Sequence, residues 1–179
     1  YGIEALKAVW HRGAVDADGK TGDGAGIHVE IPKDFFIEKI EVTGHKYDDS
    51  EICVGMIFLP RNDYSAQESC KTIVESELKK NNFNIFGWRQ VPVNPKVLGE
   101  KAFQTMPEII QVLFKSNNTN LINKDLDRKI YETRRKIENK AFNLSLNNFY
   151  ICSLSSKSII YKGMFLAEAI SDFFLDLKD

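Results

Sequence analysis

The sequence predicts an α+β fold, in which helices and strands come in separate blocks along the chain. Two observations support this. Apolar residues recur at helical spacing in some segments and with strand periodicity in others. The strands also tend to form hairpin-like pairs instead of alternating regularly with helices, which disfavours a doubly wound parallel sheet. With 43% hydrophobic and 27% charged residues, we expect residues 1–179 to form a single domain with a substantial core.

The first half of the chain carries the clearest strand signals. Apolar and polar residues alternate after the glycines, and a later, nearly continuous apolar run predicts a strand covered on both faces. Asp34 is expected to cap a short helix, because its carboxylate can accept unpaired amide protons. The predicted elements are a helix over 3–10 that ends near Arg12-Gly13, a strand over 27–31, a helix over 34–40, a strand over 52–59, a helix over 66–80 and a strand over 83–91.

The second half contains the strongest helix prediction, over residues 125–141. This segment is long, has no Gly or Pro, and is rich in good helix formers. Residues 149–154 and 158–162 are predicted to be two strands joined by a short serine-rich turn, which is typical of a hairpin. The other predicted elements are a turn-rich connection after Pro92, a strand over 109–114, a polar loop over 116–120 and a final amphipathic segment over 166–177.

Charge and composition exclude several classes of function. A formal net charge of -1 offers no basic surface for nucleic acid or an anionic membrane. We therefore expect neither nucleic acid nor a membrane as a partner. We also expect a cytoplasmic setting, because the sequence has no long apolar run and no signal-like start. Cys53, Cys70 and Cys152 have no metal or redox spacing and are expected to be buried and inert. The three histidines are too scattered to predict a metal site.

The most informative segment is a glycine-rich loop near the start. Five glycines lie between positions 13 and 26, too many for the interior of a helix or strand. A strand follows the loop, and the Gly-Lys-Ser/Thr of a phosphate-binding loop is absent, so nucleotide binding is the weaker alternative. The preferred interpretation is tight packing of the loop against a neighbouring strand. Asp23 is expected to accept backbone hydrogen bonds there.

Several segments together resemble the glutamine amidotransferase domain that opens the large subunit of glutamate synthase, a class II domain with an N-terminal nucleophile. The resemblance spans almost the whole chain and implies an Ntn-hydrolase-like four-layer αββα sandwich. It also implies hydrolysis of glutamine to glutamate and ammonia, with the ammonia transferred to 2-oxoglutarate at a distant site. The matching segments are His11-Arg12-Gly13-Ala14, residues 17–27, Gly87-Trp88-Arg89 with Val91-Pro92, residues 149–156 and residues 160–164.

The family's nucleophile is a cysteine at the first position of the mature protein, whose own α-amino group acts as base. This sequence starts at Tyr1, a poorly ionised phenol at neutral pH. By resemblance, the Asn-Gly oxyanion pair lies beyond Asp179. We therefore expect an incomplete domain, truncated at both ends, that has no catalytic residue of its own and is inactive alone. A non-catalytic Ntn-like module for interaction or scaffolding is the alternative.

The resemblance also implies which residues lie near the site. Arg12 and Gly13 are expected beside the nucleophile, where Arg12 either orients the cysteine or only caps the first helix. Trp88 and Arg89 are expected to form a packing pair. The loop residues expected to allow close backbone approach to the site are Thr21, Gly22, Asp23, Gly24 and Gly26.

The resemblance implies no metal or cofactor within this chain. FMN and an iron–sulfur cluster are implied only for other domains of a full-length protein. The implied partners are glutamine and the remaining domains of the same polypeptide.

Overall fold

The computed structural model describes residues 1–9, 11, 13–121 and 123–178. Short 3₁₀ turns cover Pro95–Val97, Ala167–Ala169 and Leu175–Leu177. The helices are α1 (Gly2–Ala8), α2 (Lys33–Val42), α3 (Tyr64–Lys80), α4 (Glu100–Thr105), α5 (Asn123–Asn143) and α6 (Ile170–Phe173). The strands are β1 (Ala25–Glu30), β2 (Cys53–Leu59), β3 (Phe83–Gln90), β4 (Glu108–Ser116), β5 (Tyr150–Ser155) and β6 (Ser158–Gly163).

The strands form two sheets. One has four antiparallel strands in the order β3-β4-β2-β5. The other pairs β1 with β6. These two strands run in opposite directions, because Gly24 faces Gly163 at one end and Ile31 N donates to Lys157 O at the other. The predicted α+β class is confirmed.

The chain divides into two compact units. The first unit contains Tyr1–Val29, Val91–Met106 and Ile160–Asp179. The second unit contains Glu30–Gln90 and Pro107–Ile159, and therefore holds the whole four-stranded sheet.

The core of the second unit lies between the four-stranded sheet and the helices α3 and α5. Strand β2 is buried at every position except the half-buried Phe58, which confirms the prediction of a strand covered on both faces. On β4, the Phe114 ring meets the Phe83 ring edge-on at a centroid distance of 5.3 Å. The helices contribute Cys70, Ile73, Val74, Leu78, Leu126, Ile130 and Ile137 to the same cluster.

Two local predictions are wrong. Helix α2 begins at Lys33 after Pro32, so Asp34 lies in its first turn and does not cap it. In the first turn, the negative charge of the carboxylate still interacts favourably with the positive end of the helix dipole. The predicted hairpin does not form either, because β5 pairs with β2 while β6 pairs with β1. The turn itself is present, with Ser155 Oγ accepting from Lys157 N at 3.0 Å, but each strand pairs with a partner distant in sequence.

Other boundaries differ by a few residues. Helix α1 ends at Ala8, whereas the prediction ended it near Arg12-Gly13. Trp10 and Arg12 lie outside the described residues. Helix α4 was not predicted, because Pro95 and Gly99 indicated irregular structure there. The final amphipathic segment is divided between α6 and two 3₁₀ turns.

Candidate functional site

The first unit contains a cleft of about 370 Å³. Its lining comes from α1, from the glycine loop, defined here as residues 13–24, and from the turn after β6. Three of the residues expected near the site from the sequence therefore line one cavity. The lining includes Leu6, Gly13, Asp23, Gly24, Phe165 and Glu168.

The glycine loop is folded back on itself. Val15 and Gly22 form an antiparallel bridge, and Asp23 N donates to Ala14 O at 3.2 Å. Within this small hairpin Gly19 has a φ of 70°, a left-handed conformation that glycine adopts without a steric penalty. The loop therefore has its own hydrogen-bonded structure before it enters β1.

Two of the glycines are needed because the backbone passes very close to other atoms. A Cβ on Gly22 would lie 2.7 Å from Phe165 O, and a Cβ on Gly26 would lie 2.9 Å from Lys162 Cβ. No side chain fits at either distance without displacing the neighbour. The preferred interpretation of the glycines, tight packing against a neighbouring strand, is confirmed at Gly26, which packs against β6, whereas Gly22 packs against the turn that follows this strand.

Asp18 is the loop carboxylate that accepts backbone amides, a role expected of Asp23. Its Oδ1 accepts from Lys20 N at 2.9 Å and from Thr21 N at 2.7 Å. Its Oδ2 accepts from the buried hydroxyl of Thr21 at 2.5 Å. These bonds, with the Thr21 hydroxyl first, lower the pKa of Asp18 to about 2.

The start of α4 approaches the same carboxylate. The backbone amide of Glu100 contributes to the lowered pKa of Asp18, and Lys101 Nζ lies 2.6 Å from Asp16 Oδ2. A Cβ on Gly99 would collide with the Asp18 carboxylate and the Thr21 hydroxyl. The glycine loop is thus bound to an element some eighty residues further along the chain.

The other residues singled out from the sequence are placed elsewhere. Trp88 and Arg89 do not form a pair, because neighbouring residues on a strand point to opposite faces. Trp88 Nε1 donates to Glu75 Oε1 at 2.9 Å, and Arg89 donates to Gln111 Oε1 at 2.8 Å. Arg12 lies outside the described residues.

Sequence reasoning missed Asp18, Gly99 and the lining residues after β6, Phe165 and Glu168. Asp18 had a usable signal, since Asp-Gly pairs such as Asp18-Gly19 mark turns. Nothing in the sequence pattern indicated the other three.

The three cysteines are buried, as predicted. Burial raises the pKa of Cys70 to about 11 and raises that of Cys53 further still. None of the cysteines lines the cleft. Among the described residues, no group of three or more His, Cys, Asp and Glu side chains is placed to hold a metal ion. In the same part of the chain, no helix combines the length and apolar character required to cross a membrane.

The effect of Asp18 on stability should depend on pH. The pKa of this carboxyl is lower in the folded chain than the value near 3.9 of an unfolded chain, so the stabilisation is complete above about pH 4 and is lost as the pH falls through about 2. We expect Asp18→Asn to have a lower melting temperature than the wild type at about pH 6, and the difference to close near pH 2. Thermal unfolding of both proteins across this range measures it. A difference that does not vary with pH would contradict the hydrogen-bond assignment.

Comparison with known proteins identifies the family. The chain matches the family described as class-II glutamine amidotransferases over residues 1–179. It is 54% identical over 178 residues to the glutamate synthase [NADPH] large chain of Azospirillum brasilense, covering 99% of this chain and 12% of that protein. It is 40% identical over 177 residues to ferredoxin-dependent glutamate synthase 1 of Arabidopsis thaliana, covering 98% of this chain and 11% of that protein.

The coverage is similar in a third relative. The ferredoxin-dependent glutamate synthase of Pyropia yezoensis is 40% identical over 181 residues, which cover 98% of this chain and 11% of that protein. The chain thus spans only about a tenth of the length of these relatives. Its α+β structure with antiparallel sheets is consistent with the Ntn-hydrolase-like fold that the resemblance implied. The chain belongs to the class-II glutamine amidotransferase family.

Proposed function

We propose that this chain is part of the glutamine amidotransferase domain of a glutamate synthase large subunit. In that domain glutamine is hydrolysed to glutamate and ammonia, and the ammonia is transferred to 2-oxoglutarate at a distant site. The observation that supports this most strongly is the family match over residues 1–179. The 54% identity to a glutamate synthase large chain supports the narrower assignment.

The cleft in the first unit is the proposed location of the glutamine site. Its glycines add no side chain that would fill the space, and Asp23 and Glu168 supply carboxylates at its lining. We place Arg12 and Gly13 beside the nucleophile. Thr21, Gly22 and Gly26 then act indirectly, by setting the path of the backbone that forms the cleft.

We propose that the nucleophile is a cysteine supplied by residues outside this sequence. A nucleophilic cysteine must be accessible and reach the thiolate form. Burial opposes both in Cys53 and Cys70, and it makes Cys152 inaccessible. The described residues that line the cleft include no Cys, Ser or Thr. We therefore propose that residues 1–179 form an incomplete domain that does not hydrolyse glutamine alone.

The cofactors of the complete enzyme are also proposed to lie elsewhere. FMN and an iron–sulfur cluster would be bound by other domains of the same polypeptide and would carry electrons for the synthase step. The relatives include proteins named for NADPH and for ferredoxin, so the electron donor of the complete enzyme is one of these two classes. A cytoplasmic setting stays a prediction from composition, because chloroplastic proteins are also among the relatives.

Measuring glutamate release from glutamine tests this proposal. We expect no release above buffer from the 179-residue chain and steady release from the complete polypeptide that carries it. Alanine in place of Cys70 is the control and should leave the rate unchanged, because that thiol is buried away from the chemistry. Release by the isolated chain would contradict the placement of the nucleophile. No release by the complete polypeptide would contradict the proposed function.

A further inference from the structure

The carboxylate that organises the glycine loop does not itself line the cleft. We propose that Asp18 is a positioning residue for the candidate glutamine site. By binding the turn at Gly19 and packing against Gly99 at the start of α4, it holds Gly19, Asp23 and Gly24 where they line the cleft. The effect on glutamine rests on the proposed function, whereas the effect on the loop does not.

The local half of this arrangement is a closed turn. Gly19 N donates to Asp16 O at 2.9 Å, which brings the chain back on itself. The Asp18 carboxylate then accepts the next two backbone amides and the Thr21 hydroxyl. Thr21 is buried, so without this acceptor its hydroxyl would lose a partner that water cannot readily replace.

The long-range half joins this turn to the segment Val91–Met106. Gly99 lies so close to the Asp18 carboxylate and the Thr21 hydroxyl that a Cβ there would collide with both, and Lys101 Nζ lies 2.6 Å from Asp16 Oδ2. The other end of the segment is also bound, because Asn94 N donates to Phe173 O at 2.8 Å and Leu175 N donates to Pro92 O at 3.1 Å. The glycine loop is therefore held against an element that is itself fixed.

The bound turn leads directly into the cleft lining. Gly22 follows Thr21 and packs against the backbone of Phe165, and Asp23 and Gly24 come next. A shift of the Asp18 turn would move these residues with it, because the Val15–Gly22 bridge and the bond from Asp23 N to Ala14 O join them into one hairpin. Since such contacts act equally on bound glutamine and on the transition state, their loss should raise KM more than it lowers kcat.

The test compares Asp18→Ala, Asp18→Asn and Gly99→Ala in the complete polypeptide that carries this chain. The matched control is Asp63→Ala, which removes a carboxylate that caps α3 by accepting from Ala66 N at 2.9 Å. Two quantities are measured in each variant: backbone amide hydrogen exchange over residues 13–24, and KM and kcat for glutamine hydrolysis.

We expect Asp18→Ala to speed exchange in residues 13–24 by about tenfold and to raise KM by a similar factor, with a smaller change in kcat. Gly99→Ala should act in the same direction without changing charge. Asp18→Asn should be milder, because its amide oxygen can still accept the two backbone amides. Asp63→Ala should leave both quantities at their wild-type values.

The two readouts separate the possible failures. Unchanged exchange in residues 13–24 of Asp18→Ala would overturn the inference whatever the activity. Faster exchange with an unchanged KM in an active enzyme would overturn the link to the site. If the wild type does not hydrolyse glutamine, the proposed function fails, and exchange alone still decides whether Asp18 holds the loop.

Discussion

Alanine at Gly22 is expected to destabilise the folded chain by about 2–3 kcal/mol. The added Cβ would lie 2.7 Å from Phe165 O and 2.8 Å from the carbonyl carbon of the same residue. Both are backbone atoms, which cannot rotate out of the way as the end of a flexible side chain does. Either the glycine loop or the turn after β6 must move. Equilibrium unfolding in urea measures the change in the free energy of unfolding.

Gly44→Ala is the control, because it separates close approach from backbone conformation. Gly44 has a φ of 84°, and apart from its chain neighbours no described residue comes within 4 Å of the point that an alanine Cβ would occupy. Alanine there adds only the strain of a left-handed conformation, about 1 kcal/mol. Gly22 is not among the glycines with positive φ, so its cost comes from crowding alone. A Gly22→Ala cost no larger than that of Gly44→Ala would show that the close approach is absent.

The glycine loop shows how far sequence reasoning reaches. The number of glycines predicted close packing, and the structure shows it at Gly22 and Gly26. The loop contains two Asp-Gly pairs, Asp18-Gly19 and Asp23-Gly24, which are equivalent as turn signals. What distinguishes them is the close approach of Gly99 to the Asp18 carboxylate, a contact between distant residues that local patterns do not encode.

The prediction of strand pairing from the sequence was limited in the same way. The nearly continuous apolar run of β2 predicted burial on both faces, because burial depends mainly on residue type. The partners of β5 and β6 depend instead on which strands the rest of the chain brings alongside them. A short turn between two strands favoured a hairpin, and the pairing with β2 and β1 overrode it. Helix α4, only six residues long, gave no periodic signal.

Phe114→Ala is expected to produce the largest loss of stability, about 3–5 kcal/mol. The side chain of Phe114 is fully buried in the core of the second unit, and its ring packs edge-on against Phe83 with an interplanar angle of 87°. Its strand lies between β2 and β3, which restricts how far the surroundings can close on the space left by the ring. The loss therefore includes both the apolar transfer energy and a cavity. Urea unfolding followed by far-UV circular dichroism measures it.

Phe142→Ala is the matched control, since it removes the same atoms from a side chain on α5 that is 83% exposed. Little apolar surface is buried there, and alanine is the better helix former, so the stability should change by no more than about 0.5 kcal/mol, in the stabilising direction. The difference between the two variants isolates the contribution of burial from that of residue type. Equal costs at the two positions would mean that Phe114 does not lie in the core, and the sheet order that buries it would then be wrong.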